Sequence, residues 1–250
     1  MNTISTQNLV LLLPPQQLKE ICKSIAAIEA VICPEWQYRY YSYQNNWSEF
    51  EEVFEMRDGQ GDQMLILFAP EGVIINGFAH ESVMSGWKSI DEPIKLNFFQ
   101  RLFSKERSKT SSGQRIWDKV VSDVPKVFNE FIYGEPVKSI GTTFCVWQTE
   151  SDTEWQIGAI DFPNDDFKDG SGDLLMLLDG NPLSYQKWAS SYYDNIYIEH
   201  PEFVLKLEFI EAIYNKEPIT KELALSINPL MDDFDKLKLD LDEIGYPHKL

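Results

Sequence analysis

Histidine and cysteine are scarce in this chain, three of each among 250 residues. Zinc sites are assembled from clusters of these side chains, and isolated single residues do not supply one. The cysteines Cys22, Cys33 and Cys145 are odd in number and without framework spacing, and each sits among apolar neighbours. That pattern excludes a disulfide scaffold and fits buried free thiols in a reducing compartment.

Positive charge is also in short supply. Against 40 Asp+Glu there are 22 Lys+Arg, a formal charge of -18. Such a balance repels nucleic-acid phosphates and anionic membrane surfaces, so neither is expected as a partner, while a basic protein would be drawn in from a distance. No apolar run approaches the ~20 residues of a membrane span. Met1 to Asn8 carries no Lys or Arg, and the run Leu9 to Leu13 is stopped by Pro14-Pro15, unlike a secretory signal. A cytoplasmic location is expected.

The common catalytic templates are missing as well. Gly59-Gln60-Gly61 lacks the third glycine and following helix of a dinucleotide site, and there is no Walker loop. Gly170-Ser171-Gly172 is not a nucleophile elbow, because position 169 is Asp. Ser85-Gly86-Trp87-Lys88 has the letters of Ser-x-x-Lys but neither a helix start nor the companion motifs.

What is present is ample core material, 43% hydrophobic and 13% aromatic residues. This is enough to offset the entropy of ordering the chain. Apolar residues recur at helical spacing in Leu18, Ile21, Cys22, Ile25 and Ile28, predicting a helix over about 16–30 behind the proline pair. Trp36 to Tyr43 alternates as a strand. Val53 to Arg57, Gln63 to Ala69 and Val73 to Ala79 follow, separated by Asp58-Gly59-Gln60-Gly61-Asp62 and Pro70-Glu71-Gly72. Glycine among aspartates suits tight turns, so 36–79 reads as an antiparallel meander of about four strands.

Arg101, Lys105, Arg107, Lys109 and Arg115 mark a basic connector, 96–115, with Ser, Thr and Gly clustered within it. Short helices are expected near Ile116–Val124 and from Pro125, the latter turning Val127, Phe128 and Phe131 inward. A central unit then runs from Thr142 to Tyr193. It comprises an apolar run Phe144–Trp147, a strand from Trp155 to Phe162, an acidic loop Asn164–Asp173 and a helix opening at Asn181-Pro182. Further helices are expected from Pro201, from the cap Thr220, and over Asp232–Ile244 with Gly245 as its left-handed end. The fold class is therefore α+β: an N-terminal meander and a central hairpin of antiparallel sheet, with helices packed on them. One domain, 1–250, is expected; its alternative is two tightly packed lobes, 1–95 and 116–250.

Several short stretches together resemble a family of bacterial cytosolic proteins with no assigned activity. They include Tyr38-Arg39-Tyr40-Tyr41, Gly77-Phe78-Ala79-His80-Glu81-Ser82, Asp169-Gly170-Ser171, Leu178-Asp179-Gly180, Trp188-Ala189, Tyr192-Tyr193 and Ile244-Gly245-Tyr246-Pro247. The resemblance covers most of the chain and implies a bacterial cytosolic protein, but no cofactor or catalytic residue. The basic segment Arg101–Arg115 departs from the pattern.

Two constellations are candidates for chemistry. His80-Glu81 is an acid/base pair by adjacency at the end of the meander, with Arg39 and Tyr41 as possible companions in a groove. A zinc-protease helix needs a second His at position 84, which is Met, and adjacent strand residues point to opposite faces. The acidic loop offers Asp165, Asp169 and Asp173. Read as a calcium loop it has Phe167 and Met176 where two essential oxygen ligands belong, leaving a side-chain-to-backbone bonded loop as the default. No metal or other cofactor is expected.

The expected function is a non-enzymatic protein-binding module that neutralises or escorts a basic partner, as an immunity protein does. The alternative is a hydrolase or metal-dependent enzyme built from His80, Glu81 and the loop 165–173. Oligomeric state is not legible in the chain.

Overall fold

The computed structural model describes residues 3–85, 119–158, 169–193, 203 and 205–250. Its first long element, helix α1 (Pro15–Ile32), carries proline in its first turn, where a missing N–H is no loss. The early part has the predicted stripe, with Leu18 and Cys22 inward. From Ser24 to Ile32 every residue is buried, so the second half runs through the interior.

The meander follows as strands β1 (Tyr41–Gln44), β2 (Glu52–Arg57), β3 (Gln63–Ala69) and β4 (Gly72–Phe78). The first strand is shorter than the aromatic alternation predicts. Trp36–Tyr38 is a single 3-10 turn, and Arg39 folds back to donate to the carbonyls of Cys33 and Pro34 at 2.7 and 2.9 Å. Pairing with β2 begins only at Tyr41.

Beyond the basic connector, which lies outside the described residues, Val120, Val121 and Val124 are buried. Two short helices then follow, α2 (Asn129–Tyr133) and α3 (Val137–Ile140). Val127, expected inward, is 56% exposed, because the 3-10 turn Lys126–Phe128 aims Phe128 at the core instead. Strands β5 (Phe144–Thr149) and β6 (Gln156–Ile157) complete the sheet. All neighbours are antiparallel and the order is β1-β2-β3-β4-β5-β6. β5 pairs with β4 across the connector, so the segments assigned to two lobes share one sheet. Residues 159–162 of the strand predicted over 155–162 lie outside the described residues.

Helix α4 (Ser171–Leu174) and α5 (Pro182–Tyr192) follow, then α6 (Leu207–Tyr214). The chain closes with β7 (Ile219–Thr220), α7 (Lys221–Ile227), α8 (Phe234–Ile244) and β8 (His248–Lys249). The helix expected from Pro201 starts at Leu207, although Phe203 is buried as expected. Asn181, Thr220 and Asp233 each accept a backbone N–H of the first turn, and Gly245 takes the left-handed position after α8. Lys236 pairs with Glu35 at 2.9 Å, tying the start of α8 to the 3-10 turn.

Alternation along the strands feeds two apolar cores, because side chains i and i+2 share a face. Phe54, Met56, Met64, Ile66, Ile75, Phe144 and Val146 meet α1 and the C-terminal helices. Val53, Leu65, Leu67, Ile74, Cys145 and Trp147 meet the cover from 120–140. A strand buried on both faces has no polar side, and β3 reads as a continuous apolar run for that reason. The fold is α+β, as its sequence predicts.

Candidate functional site

One end of the sheet collects nearly everything of chemical interest. There β1 begins, β2 turns into β3, β4 ends and β5 starts. Asp58 closes the β2–β3 turn by accepting three backbone N–H groups on Oδ1, from Gln60, Gly61 and Asp62, at 2.7 to 2.9 Å. Asp62 Oδ1 in turn accepts the backbone N–H of His80 at 2.7 Å. Gly61 has φ +122, and a Cβ there would lie 3.1 Å from the His80 side chain, so only glycine lets turn and histidine meet.

This turn separates two depressions, and Asp62 lines both. The first is a cleft of about 430 Å³ walled by Tyr38, Tyr192, Arg39, Arg57, Asp58 and Asp62 among others. Its two arginines are engaged with the protein itself. The Arg39 side chain is 3% exposed and pairs with Asp240 at 2.5 Å, besides its two carbonyls. Arg57 lies over the Trp36 ring, 4.3 Å from its centroid, and reaches Glu55 at 3.5 Å. Among the described residues its buried Nη2 has no hydrogen-bond acceptor, so the ring face is its counterpart. Burial raises the Asp62 pKa; the charges of Asp58 and Asp173 add to the rise, and the His80 N–H opposes it.

The second depression, about 360 Å³, is lined by Asp62, Glu81, Ser82, Asp169, Ser171 and Asp173 among others. It brings the last part of the acidic loop, Asp169 to Asp173, to the end of β4. Gly170 makes this possible, with φ +83 and its missing Cβ only 2.1 Å from where the Ala79 Cβ stands. Asp169 is buried and fully occupied. Thr6 Oγ1 donates to its Oδ2 at 2.5 Å, while the Ser171 hydroxyl and N–H donate to Oδ1 at 2.6 and 3.0 Å. Thr143 Oγ1 donates to the Asp169 carbonyl at 2.6 Å and accepts the Ala79 N–H at 3.0 Å. These bonds fasten the N-terminal strap to the ends of β4 and β5.

Of the residues singled out in the sequence, Glu81, Asp169 and Asp173 share the second depression, and Arg39 lines the first. Asp165 lies outside the described residues. Tyr41 is 1% exposed, stacked on Phe54 in the core, and faces no groove. His80 Nδ1 and Glu81 Oε1 are 3.0 Å apart, which corrects the expectation that they diverge. The pleat that would separate them stops at Phe78. Among the described residues no three His, Cys, Asp or Glu side chains gather as a metal site would require.

The most unusual group is one that periodicity did not single out. Glu29 lies mid-way along the buried half of α1, with no solvent exposure. Tyr185 and Tyr193 donate hydroxyls to its two oxygens at 2.6 and 2.5 Å, and the Tyr40 N–H adds a bond of 3.2 Å. Burial raises its pKa, and the tyrosine hydroxyls and backbone N–H groups of Tyr40 and Tyr41 oppose the rise. Above it, Tyr40 packs edge-on against Trp188 and Tyr192, each 4.8 Å away. Tyr192 is also a wall of the cleft, so an aromatic layer lies between the buried carboxylate and solvent. A lone charge in the apolar run Ile25–Ile32 was the available sequence signal.

No family model matches the chain, and neither a curated protein nor a solved structure does. Among the described residues no helix is long and apolar enough to cross a membrane.

Proposed function

We propose that this is a non-enzymatic binding protein that docks a basic protein partner, neutralising or escorting it. The observation that carries the proposal is the disposition of charge at the first cleft. Arg39 is held by Asp240 and two backbone carbonyls, and Arg57 lies on the Trp36 ring with Glu55 3.5 Å away, whereas among the described residues Asp58 and Asp62 form no ion pair. Beside them Tyr38 is 68% and Tyr192 39% exposed. Exposed tyrosine provides large, rigid contact area at little entropic cost, as binding surfaces require. The overall charge of -18 would speed encounter with a basic surface.

A hydrolase or metal-dependent enzyme built on His80, Glu81 and the acidic loop has less support. Its central aspartate, Asp169, already accepts three hydrogen bonds from Thr6 and Ser171. The discriminating experiment is affinity capture at low ionic strength, followed by purification of the retained protein and rebinding. A basic protein that rebinds in fixed stoichiometry and is released by salt is the expected result. Retention of no protein, or of acidic proteins indifferent to salt, would overturn the proposal.

A further inference from the structure

We infer that the first cleft receives an arginine side chain of the partner. This deepens the binding function proposed above and depends on it for the source of the ligand, but the chemistry is local. The cleft offers two kinds of surface at once: the tyrosine rings of Tyr38 and Tyr192, and the carboxylates of Asp58 and Asp62. A planar guanidinium is the group that uses both. It stacks on aromatic rings while directing several N–H donors outward in its own plane, and it is weakly hydrated.

The carboxylates are arranged for such a ligand. Each has one oxygen committed to the backbone, Asp58 Oδ1 to the turn and Asp62 Oδ1 to the His80 N–H. Those bonds fix the two side chains and leave each a second oxygen on the same tight turn. Two separate single acceptors match a forked donor better than one compact ammonium. Arg57, which lines the cleft, shows the same chemistry within the protein, its guanidinium lying on the neighbouring Trp36 ring. Arg57 and Arg39 would repel an incoming cation if their charges were free. Asp240 pairs with Arg39 and Glu55 lies 3.5 Å from Arg57, while among the described residues Asp58 and Asp62 form no ion pair.

The test uses the intact protein and N-acetyl-arginine amide as probe, with N-acetyl-lysine amide and N-acetyl-glutamate amide as comparisons. Tryptophan fluorescence reports binding, because Trp36 is 45% exposed beside the cleft. The expected Kd for so small a probe is on the order of 1 mM. Lysine should bind more weakly and glutamate not at all. Tyr38→Ala should weaken arginine binding by about threefold, and Asp62→Asn by about tenfold. The asparagine keeps an acceptor for the His80 N–H, so the turn survives its introduction. Unchanged arginine affinity in both variants, equal binding of glutamate, or no saturable response would each overturn the inference. If the probe fails while a basic partner is still captured, the cleft assignment falls and the binding function stands. If the probe binds as described but no partner is captured, the reverse holds.

Discussion

The Tyr185 hydroxyl donates to Glu29 Oε1 at 2.6 Å, joining α5 to α1 across 156 positions of sequence. With Tyr193 on the other oxygen, one buried carboxylate holds the first turn of the helix and the residue just past its end. A buried charge with no cation is costly, and hydrogen bonds to its charged form are what make it tolerable.

Glu29→Ala should therefore be among the most damaging single changes. It strands two tyrosine hydroxyls at about 1–3 kcal/mol each, and opens a cavity besides. The expected loss is several kcal/mol in urea denaturation, with Trp188 fluorescence altered as the aromatic layer loosens.

Glu29→Gln should be milder and should expose a pH dependence. Burial places the folded pKa above the unfolded value near 4.5. Between those two values the native state holds a proton that the unfolded state has released, so stability falls as pH rises through that window. The glutamine variant lacks this slope. Glu55 and Asp62, also raised by burial, retain theirs in both proteins. The difference between the two stability profiles from about pH 4.5 upward measures the effect of Glu29 alone. A constant difference across that range would contradict it.

Arg39 serves the fold through three acceptors at once, the carbonyls of Cys33 and Pro34 and the carboxylate of Asp240. Arg39→Ala should cost about 2–4 kcal/mol, since it leaves a half-buried carboxylate and two carbonyls without their donor. Arg39→Lys should recover little, because a single ammonium cannot reproduce the fork. Thermal melts of the two variants would show it.

Gly77 stands opposite Phe144 in the β4–β5 register, and a Cβ there would come 2.0 Å from the phenyl ring. Phe144 is fully buried and cannot swing outward. Gly77→Ala should destabilise by about 1–3 kcal/mol through overpacking, and Gly77→Ala with Phe144→Leu should recover part of that. Denaturant midpoints of the single and double variants give the comparison.

Asp169→Ala should release the N-terminal strap, since Thr6 and Ser171 both lose their acceptor. Faster proteolysis within residues 3–13 is the expected readout, with the sheet still protected from hydrogen exchange. Under the proposed binding function, Ca²⁺, Mg²⁺, Mn²⁺ and Zn²⁺ should leave the melting temperature of the wild-type protein unchanged. A rise with any of them would favour the metal-enzyme alternative, because a ligand of the native state must stabilise it.

The elements of this protein were largely legible in the chain because they rest on local chemistry. The proline pair opens α1, and Asn181, Thr220 and Gly245 cap helices where their side chains or lack of one predict. The Asp58–Asp62 turn sets the β2–β3 hairpin, and apolar runs bounded by turn residues mark β2 to β4. Trp36–Tyr40 misled, since an alternating aromatic segment is indistinguishable from a strand until Arg39 is seen reaching back to Cys33 and Pro34. His80 and Glu81 misled in the opposite sense, because their meeting depends on where the pleat ends.

Composition and spacing alone determined the α+β class, the excess of carboxylates and the failure of each catalytic template. Tertiary structure decided which of those carboxylates are spent. It buried Glu29 under three tyrosines, bonded Asp169 to Thr6 and Ser171, and left Asp58 and Asp62 beside exposed rings. A carboxylate's role depends on its partners and its access to water, and for Glu29 and Asp169 the deciding hydroxyls, those of Tyr185, Tyr193 and Thr6, stand 156 to 164 positions away.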